Sequence, residues 1–113
     1  MSYVPTGNNA IGELTMNIRL IIPDAMPDQH SKYLRTIAGI AGGYTSYRGH
    51  GGWIDSKGVL VEEPVTIVDC SFDENDVDFP RDGFHALART IARELSQECV
   101  FLSIDGKAEF IRP

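Results

Sequence analysis

The alternation of hydrophobic and polar residues predicts a strand near the start of the chain. Hydrophobic residues occupy every second position from Leu14 to Ile22, and three of the residues between them are polar or charged. A period of two over nine residues is typical of a strand with one buried face. Pro23 and Asp24 interrupt the pattern, so we expect the strand to end there.

Two later segments repeat their hydrophobic residues at the spacing of a helix. The first begins after Pro27 with Asp28 as its predicted N-cap, and Gly42 and Gly43 stop it. The second runs from about residue 83 to residue 96. The apolar positions of the two helices are, in order, Tyr33, Leu34, Ile37, Ala38 and Ala41, then Phe84, Leu87, Ala88, Ile91, Ala92 and Leu95.

The remaining segments predict four more strands. A glycine-rich stretch after Gly43 indicates an irregular second strand, which ends at a turn over residues 55–58. Residues 59–72 form a third strand, in which Pro64 predicts a bulge or an unpaired position. A fourth strand over 99–104 leads through Asp105 and Gly106, a hairpin signal, into a short edge strand over 107–111.

This order predicts an α+β fold of the ferredoxin-like βαββαβ type. Right-handed crossovers place strands one and three in the middle of an antiparallel sheet, with both helices on one face and a short C-terminal edge strand. The opposite face carries Asn17 and Arg19, with Phe101 and Ser103 as further candidates for it. We expect residues 1–12 to be a flexible N-terminal arm. Residues 13–113 are then one domain, because the chain of 113 residues is long enough for a single core only.

Composition narrows the classes of partner and location. Hydrophobic residues make up 42% and charged residues 23% of the chain, which is typical of a globular protein. The net charge of −6 makes nucleic acid an unexpected partner. No apolar run has membrane-spanning length and no signal-peptide pattern is present, so we predict a cytoplasmic protein without a membrane partner. Cys70 and Cys99 are expected to be free, buried thiols on opposite sides of strand one.

The sequence offers no motif for a metal, a cofactor or a catalytic nucleophile. His30, His50 and His85 are widely separated, and neither cysteine belongs to a Cys-x-x-Cys pair. The acidic segment that begins at Asp73 lacks the central glycine of an EF-hand loop. The glycines after the first helix lie at its C-terminus, where no phosphate-binding dipole is available. We therefore expect no cofactor, no metal and no catalytic residue.

The glycine-rich stretch is the best candidate for a binding site. Seven of the eleven glycines lie between Gly39 and Gly58, together with the single tryptophan. One hypothesis is a site for an anionic or polar ligand, lined by Tyr44, Arg48, His50 and Glu63. A second is structural: the glycines form a bulge at residue 49 or 51, while Tyr47 and Trp53 cap the core. A third is a contact between subunits. A carboxylate of the 62–63 pair is also expected to form a cross-strand pair with Arg48 or His50.

The motifs of this stretch resemble a group of small uncharacterised proteins from bacteria and their phages. The resemblance covers residues 14–111 and implies an independent small α+β domain, but it supplies no catalytic residue. It is carried by Gly42-Gly43-Tyr44-Thr45, Gly49-x-Gly51-Gly52-Trp53, Gly58 and Glu62-Glu63-Pro64.

The leading functional hypothesis is a small non-enzymatic binding protein. It would be phage-borne or carried by a mobile element and would act on a host factor, another protein partner or a small polar ligand. A homodimer is expected, because an exposed sheet face or edge is a natural dimer surface. The alternative is a small enzyme of the dimeric α+β-barrel type, with a pocket between sheet and helices and a His or Tyr as acid or base. A binder of single-stranded nucleic acid is disfavoured by the net charge.

Overall fold

Five strands and two helices alternate along the chain in the predicted order. The computed structural model describes residues 15–23, 27–73 and 80–113. The predicted arm over residues 1–12 and most of the acidic segment lie outside the described residues. The elements are β1 (Thr15–Pro23), α1 (Pro27–Ala41), β2 (Thr45–Ile54), β3 (Leu60–Asp73), α2 (Arg81–Glu94), β4 (Val100–Ile104) and β5 (Lys107–Ile111).

The strands form one antiparallel sheet in the order β2-β3-β1-β4-β5. The α+β prediction is confirmed, and the strand and helix order agrees with a ferredoxin-like arrangement that has β1 and β3 at its centre. Element boundaries differ from the prediction by one or two residues. α1 begins at Pro27 rather than after Asp28, because proline is well suited to the first turn of a helix.

The core lies between the two helices and one face of the sheet. The three central strands each place alternate side chains there, and Tyr33, Ile37, Phe84 and Ile91 of the helices pack against them. Neither described helix is long and apolar enough to cross a membrane. The strand residues of this core are Ile18, Leu20 and Ile22 of β1, Val68, Cys70 and Phe72 of β3, and Val100, Leu102 and Ile104 of β4.

The glycine-rich segment is a regular strand, so the predicted bulge is wrong. β2 pairs with β3 residue by residue, from Thr45 opposite Asp69 to Ile54 opposite Leu60. A Cβ atom on Gly49 would lie 2.9 Å from Cδ1 of Ile67. The missing side chain of Gly49 therefore gives Ile67 room on an unbroken strand.

Pro64 does not interrupt the register either. It lies opposite His50 of β2. The pairing of β3 with β1 ends at Val65, which lies opposite Pro23, so Pro64 is just outside it. From Pro64 outward β3 has one neighbouring strand only, so the absent proline N–H does not break a second ladder. β2 and β3 thus continue past β1 as a two-stranded hairpin.

The predicted turn over residues 55–58 closes this hairpin. The side-chain Oδ1 of Asp55 accepts hydrogen bonds from the backbone N–H groups of Lys57 at 2.8 Å and Val59 at 3.0 Å. Gly58 has a φ of +77°, which glycine adopts without strain. The aspartate and the glycine together explain why the chain reverses here.

The two cysteines are free, as predicted, but only Cys70 is fully buried, while Cys99 is half-buried. Burial raises the pKa of the Cys70 thiol to about 12, with a smaller contribution from Asp69. We expect Cys70 in a Cys99→Ser variant to resist a thiol reagent at mildly alkaline pH until guanidinium unfolds the protein, because the thiolate is the reactive form. Cys70→Ser is the control, in which the half-buried Cys99 should react faster. Rapid labelling of native Cys99→Ser protein would contradict the buried position of Cys70.

Candidate functional site

The sheet face opposite the helices carries a set of polar side chains at its centre. We call this the open face, because neither described helix packs against it. Its residues alternate along each strand with those that face the helix side. The backbone register places Thr45 opposite Asp69, Asp69 opposite Arg19, and Arg19 opposite Ser103. These four residues form a polar row that crosses β2, β3, β1 and β4.

An apolar row lies beside the polar row, two residues further along each strand. This spacing corresponds to about 7 Å. The rings of Phe101 and Phe110 meet edge to face, with their centroids 5.8 Å apart. Tyr47 is 43% exposed and stands at the other end of the row. The members of the apolar row are Tyr47, Ile67, Ile21, Phe101 and Phe110.

Arg19, Asp69 and Tyr47 form one hydrogen-bonded cluster. The Arg19 guanidinium donates from Nε to Asp69 Oδ1 at 2.8 Å and from Nη2 to Asp69 Oδ2 at 3.1 Å. Nη2 also donates to the Tyr47 hydroxyl at 3.0 Å, and that hydroxyl donates to Asp69 Oδ2 at 3.3 Å. The hydrogen bond from Arg19 lowers the pKa of the Asp69 carboxyl group. The three hydrogen bonds that the guanidinium donates fix its plane.

This cluster contributes little to folding. The side chains of Arg19 and Asp69 are 49% and 36% exposed, and ion pairs at such positions stabilise proteins by about 0.2–1 kcal/mol.

A hollow of about 420 Å³ opens beside the cluster. This volume lies within the range of roughly 300–1,000 Å³ that is common for small-molecule sites. Charged, hydroxyl, amide and aromatic groups all reach the hollow, so it can receive a ligand with both polar and apolar parts. Its lining consists of Asn17, Ile18, Arg19, Asp69, Phe101, Ser103 and Gly106.

The structure does not bring the four sequence-predicted site residues together. Arg48 and His50 lie exposed on the face of β2 that continues the helix side of the sheet, and Tyr44 packs against the core next to α1. Glu63 lies on the open face, opposite Gly51. Burial raises the pKa of the Glu63 carboxyl group. A ligand-binding role for these four residues remains a prediction.

Two smaller expectations about the hairpin have clear outcomes. His50 Nε2 and Glu62 Oε1 are 3.1 Å apart, so the predicted cross-strand pair of a carboxylate with His50 is confirmed. Tyr47 and Trp53 share one face, as the alternation predicts, but both are 43% exposed. The structural hypothesis that they cap the core is therefore wrong.

The remaining histidines do not supply a site on the open face. His85 is held by the backbone carbonyl of Arg81 through Nδ1 at 2.9 Å and by Glu109 through Nε2 at 2.5 Å. His30 is buried and lies 3.2 Å from the Thr66 hydroxyl. Within the described ranges, no three His, Cys, Asp or Glu side chains come together as metal ligands.

Known proteins resemble this chain in fold, whereas family profiles and curated sequences give no match. No protein-family profile and no curated protein matches the chain. Two solved structures match its fold. One is a phage SAM lyase in complex with S-methyl-5'-thioadenosine, with a TM-score of 0.68, 17% identity, and coverage of 96% of this chain and 97% of that one. The other is a phage SAM lyase in its apo state, with a TM-score of 0.61, 16% identity and the same coverage.

These matches contradict the expectation of a non-enzymatic binding protein, because both structures are those of an enzyme. They favour the alternative, a small α+β enzyme. That alternative places the pocket between the sheet and the helices, where this chain has a filled core. The hollow described above lies on the open face instead.

Proposed function

We propose that this protein is an enzyme that cleaves S-adenosylmethionine and releases S-methyl-5'-thioadenosine at its open face. The observation that carries the proposal is the similarity, over 96% of the chain, to the fold of a lyase that holds this compound. The hollow beside Arg19 and Asp69 supports it, since its volume and mixed lining suit a ligand with a nucleoside part and an amino-acid part.

The reaction breaks one carbon–sulfur bond. The sulfonium sulfur of the substrate carries a positive charge, and the bond from sulfur to the four-carbon amino-acid chain is cleaved. The bonding electron pair moves to sulfur, which becomes a neutral thioether. The carbon that loses its bond to sulfur has two possible outcomes. Either the substrate's own carboxylate bonds to it, which gives a lactone, or the neighbouring carbon loses a proton, which gives an alkene. Neither route consumes water.

The apolar row suits a reaction that removes charge. Apolar surroundings disfavour ions relative to neutral groups, so they favour a transition state in which the sulfonium charge disappears. The ring of Phe101, which lines the hollow, can attract a sulfonium cation before the bond breaks, as aromatic faces attract other cations. The neighbouring polar row offers hydrogen-bonding groups for the rest of the substrate.

Location and assembly belong to the same proposal. S-adenosylmethionine is a soluble metabolite of the cell interior, so we place the protein in the cytoplasm.

The sequence-based prediction of a homodimer remains part of the proposal. In the described sheet β2 and β5 are the edge strands, which are natural sites for pairing with a second copy. Native mass spectrometry of the purified protein would report the number of subunits.

The activity is tested by incubating purified protein with S-adenosylmethionine. We expect S-methyl-5'-thioadenosine to accumulate in proportion to enzyme concentration, as measured by liquid chromatography with mass detection. The substrate also decomposes slowly in buffer, so heat-denatured protein at the same concentration is the necessary control. Proton NMR of the second product separates lactone from alkene. A rate equal to that of the control would overturn the proposed function.

A further inference from the structure

The Arg19 guanidinium has hydrogen-bonding capacity that the cluster does not use. Nε and Nη2 are taken up by Asp69 and Tyr47. No residue in the described part of the chain accepts a hydrogen bond from Nη1, whose two N–H groups remain available. Since Asp69 fixes the guanidinium plane, these donors point in a defined direction, and Arg19 lines the hollow.

Ser103 supplies a second donor at the same place. It is the direct partner of Arg19 across β1 and β4 and also lines the hollow. Residues opposite each other in an antiparallel pair have Cα atoms about 4.5–5.5 Å apart. Both residues line the same hollow, so a carboxylate that enters it can accept from a guanidinium N–H and from the hydroxyl group.

Asp69 adds the complementary charge. Its Oδ2 accepts from both Arg19 and Tyr47, whereas among the described residues its Oδ1 accepts only from Arg19 Nε. A carboxylate oxygen has two lone pairs, so Oδ1 can accept one more hydrogen bond. The ion pair therefore offers both N–H donors and an anionic acceptor to the same hollow.

We propose that the pair Arg19–Asp69, with Ser103, recognises the zwitterionic amino-acid end of the substrate. The α-carboxylate binds Arg19 Nη1 and the Ser103 hydroxyl, and the α-ammonium group binds Asp69 Oδ1. The thioadenosine part then lies over the apolar row, next to Phe101. This assignment rests on the proposed function. It adds that the polar row binds the amino-acid end of the substrate and the apolar row binds the thioadenosine end.

The test compares two ligands that differ in the amino-acid part. S-adenosylhomocysteine has this part but no sulfonium, so it binds without being cleaved, whereas S-methyl-5'-thioadenosine lacks it. In calorimetry we expect Arg19→Met to raise the Kd of S-adenosylhomocysteine by about 10- to 100-fold, since hydrogen bonds to charged groups have energies of this order. The Kd of S-methyl-5'-thioadenosine should change by less than about threefold.

Three further variants make the outcome unambiguous. Ser103→Ala removes a single hydroxyl and should raise only the Kd of S-adenosylhomocysteine, by a smaller factor. Phe101→Ala should weaken both ligands. Arg89→Met removes an exposed arginine from α2, on the helix side of the sheet, and should weaken neither.

Each pattern of binding has a defined meaning. If Arg19→Met weakens both ligands equally or neither of them, the amino-acid site is overturned while the proposed function stands. If the wild-type protein binds neither ligand and cleaves no S-adenosylmethionine, both proposals fail together.

Discussion

Replacing Asp69 by alanine is expected to lower the rate of S-adenosylmethionine cleavage by about 100-fold and to leave the fold intact. Asp69 accepts two hydrogen bonds from Arg19 and one from Tyr47, so its removal frees the guanidinium to rotate. A misplacement of about 1 Å in a positioning group can reduce catalysis by two orders of magnitude. The rate is measured as formation of S-methyl-5'-thioadenosine at saturating and at low substrate concentrations.

A matched variant separates this effect from general destabilisation. Lys32→Ala removes one partner of another exposed ion pair, in which Lys32 Nζ lies 3.3 Å from a Glu94 carboxylate oxygen on the helix side of the protein. We expect its cleavage rate to stay within about twofold of wild type and both variants to melt close to the wild-type temperature, since exposed ion pairs contribute little. An Asp69→Ala enzyme with full activity, or an equal loss in Lys32→Ala, would rule out a special role for the cluster.

The fold was predictable because its signals are local. The alternation in β1 and the helical spacing in α1 and α2 each lie within one segment, and they identify the buried face directly. The order of the elements then restricts the topology. The predicted bulge in β2 failed because glycine has two uses in a strand. A glycine such as Gly49 can mark a bulge, or it can leave room for a neighbouring side chain such as Ile67. Only the register of β2 with β3 shows which of the two applies.

The site was less predictable, because proximity along the chain is a poor guide to proximity across a sheet. Arg48, His50 and Glu63 flank one hairpin, which suggested a common cluster. The register places Glu63 opposite Gly51, and odd-numbered residues of β2 face away from Arg48 and His50. Sequence reasoning thus grouped residues that lie on opposite faces.

The cluster on the open face is assembled from three strands that are far apart in sequence. Arg19 and Asp69 are separated by 50 positions, and Arg19 and Tyr47 by 28. The alternation in β1 assigns Arg19 to the open face, but its partner depends on the registers of β1 with β3 and of β2 with β3. A shift of one residue in either register would move Asp69 or Tyr47 to the other face. No local motif contains that information.

The largest effect on stability is expected from Phe84, the aromatic residue by which α2 is anchored to the sheet. Its side chain is 0% exposed, and its ring meets that of Phe72 edge to face with the centroids 5.9 Å apart. Truncation of a buried phenylalanine to alanine costs about 3–5 kcal/mol through lost burial and an unfilled cavity. Small domains have a total stability of roughly 5–15 kcal/mol, so Phe84→Ala removes a large part of it.

Phe110 provides the comparison, because it takes part in the other edge-to-face pair but is 67% exposed. In urea unfolding followed by circular dichroism, we expect Phe84→Ala to lose about 3–5 kcal/mol and Phe110→Ala less than about 1 kcal/mol. Should Phe84→Ala fail to fold, Phe84→Leu keeps most of the buried volume and should show an intermediate loss. Equal losses at the two positions would mean that the helix-covered side of the sheet is not the main core. The open face is free to carry a polar cluster because the stability of the sheet is supplied from its other side.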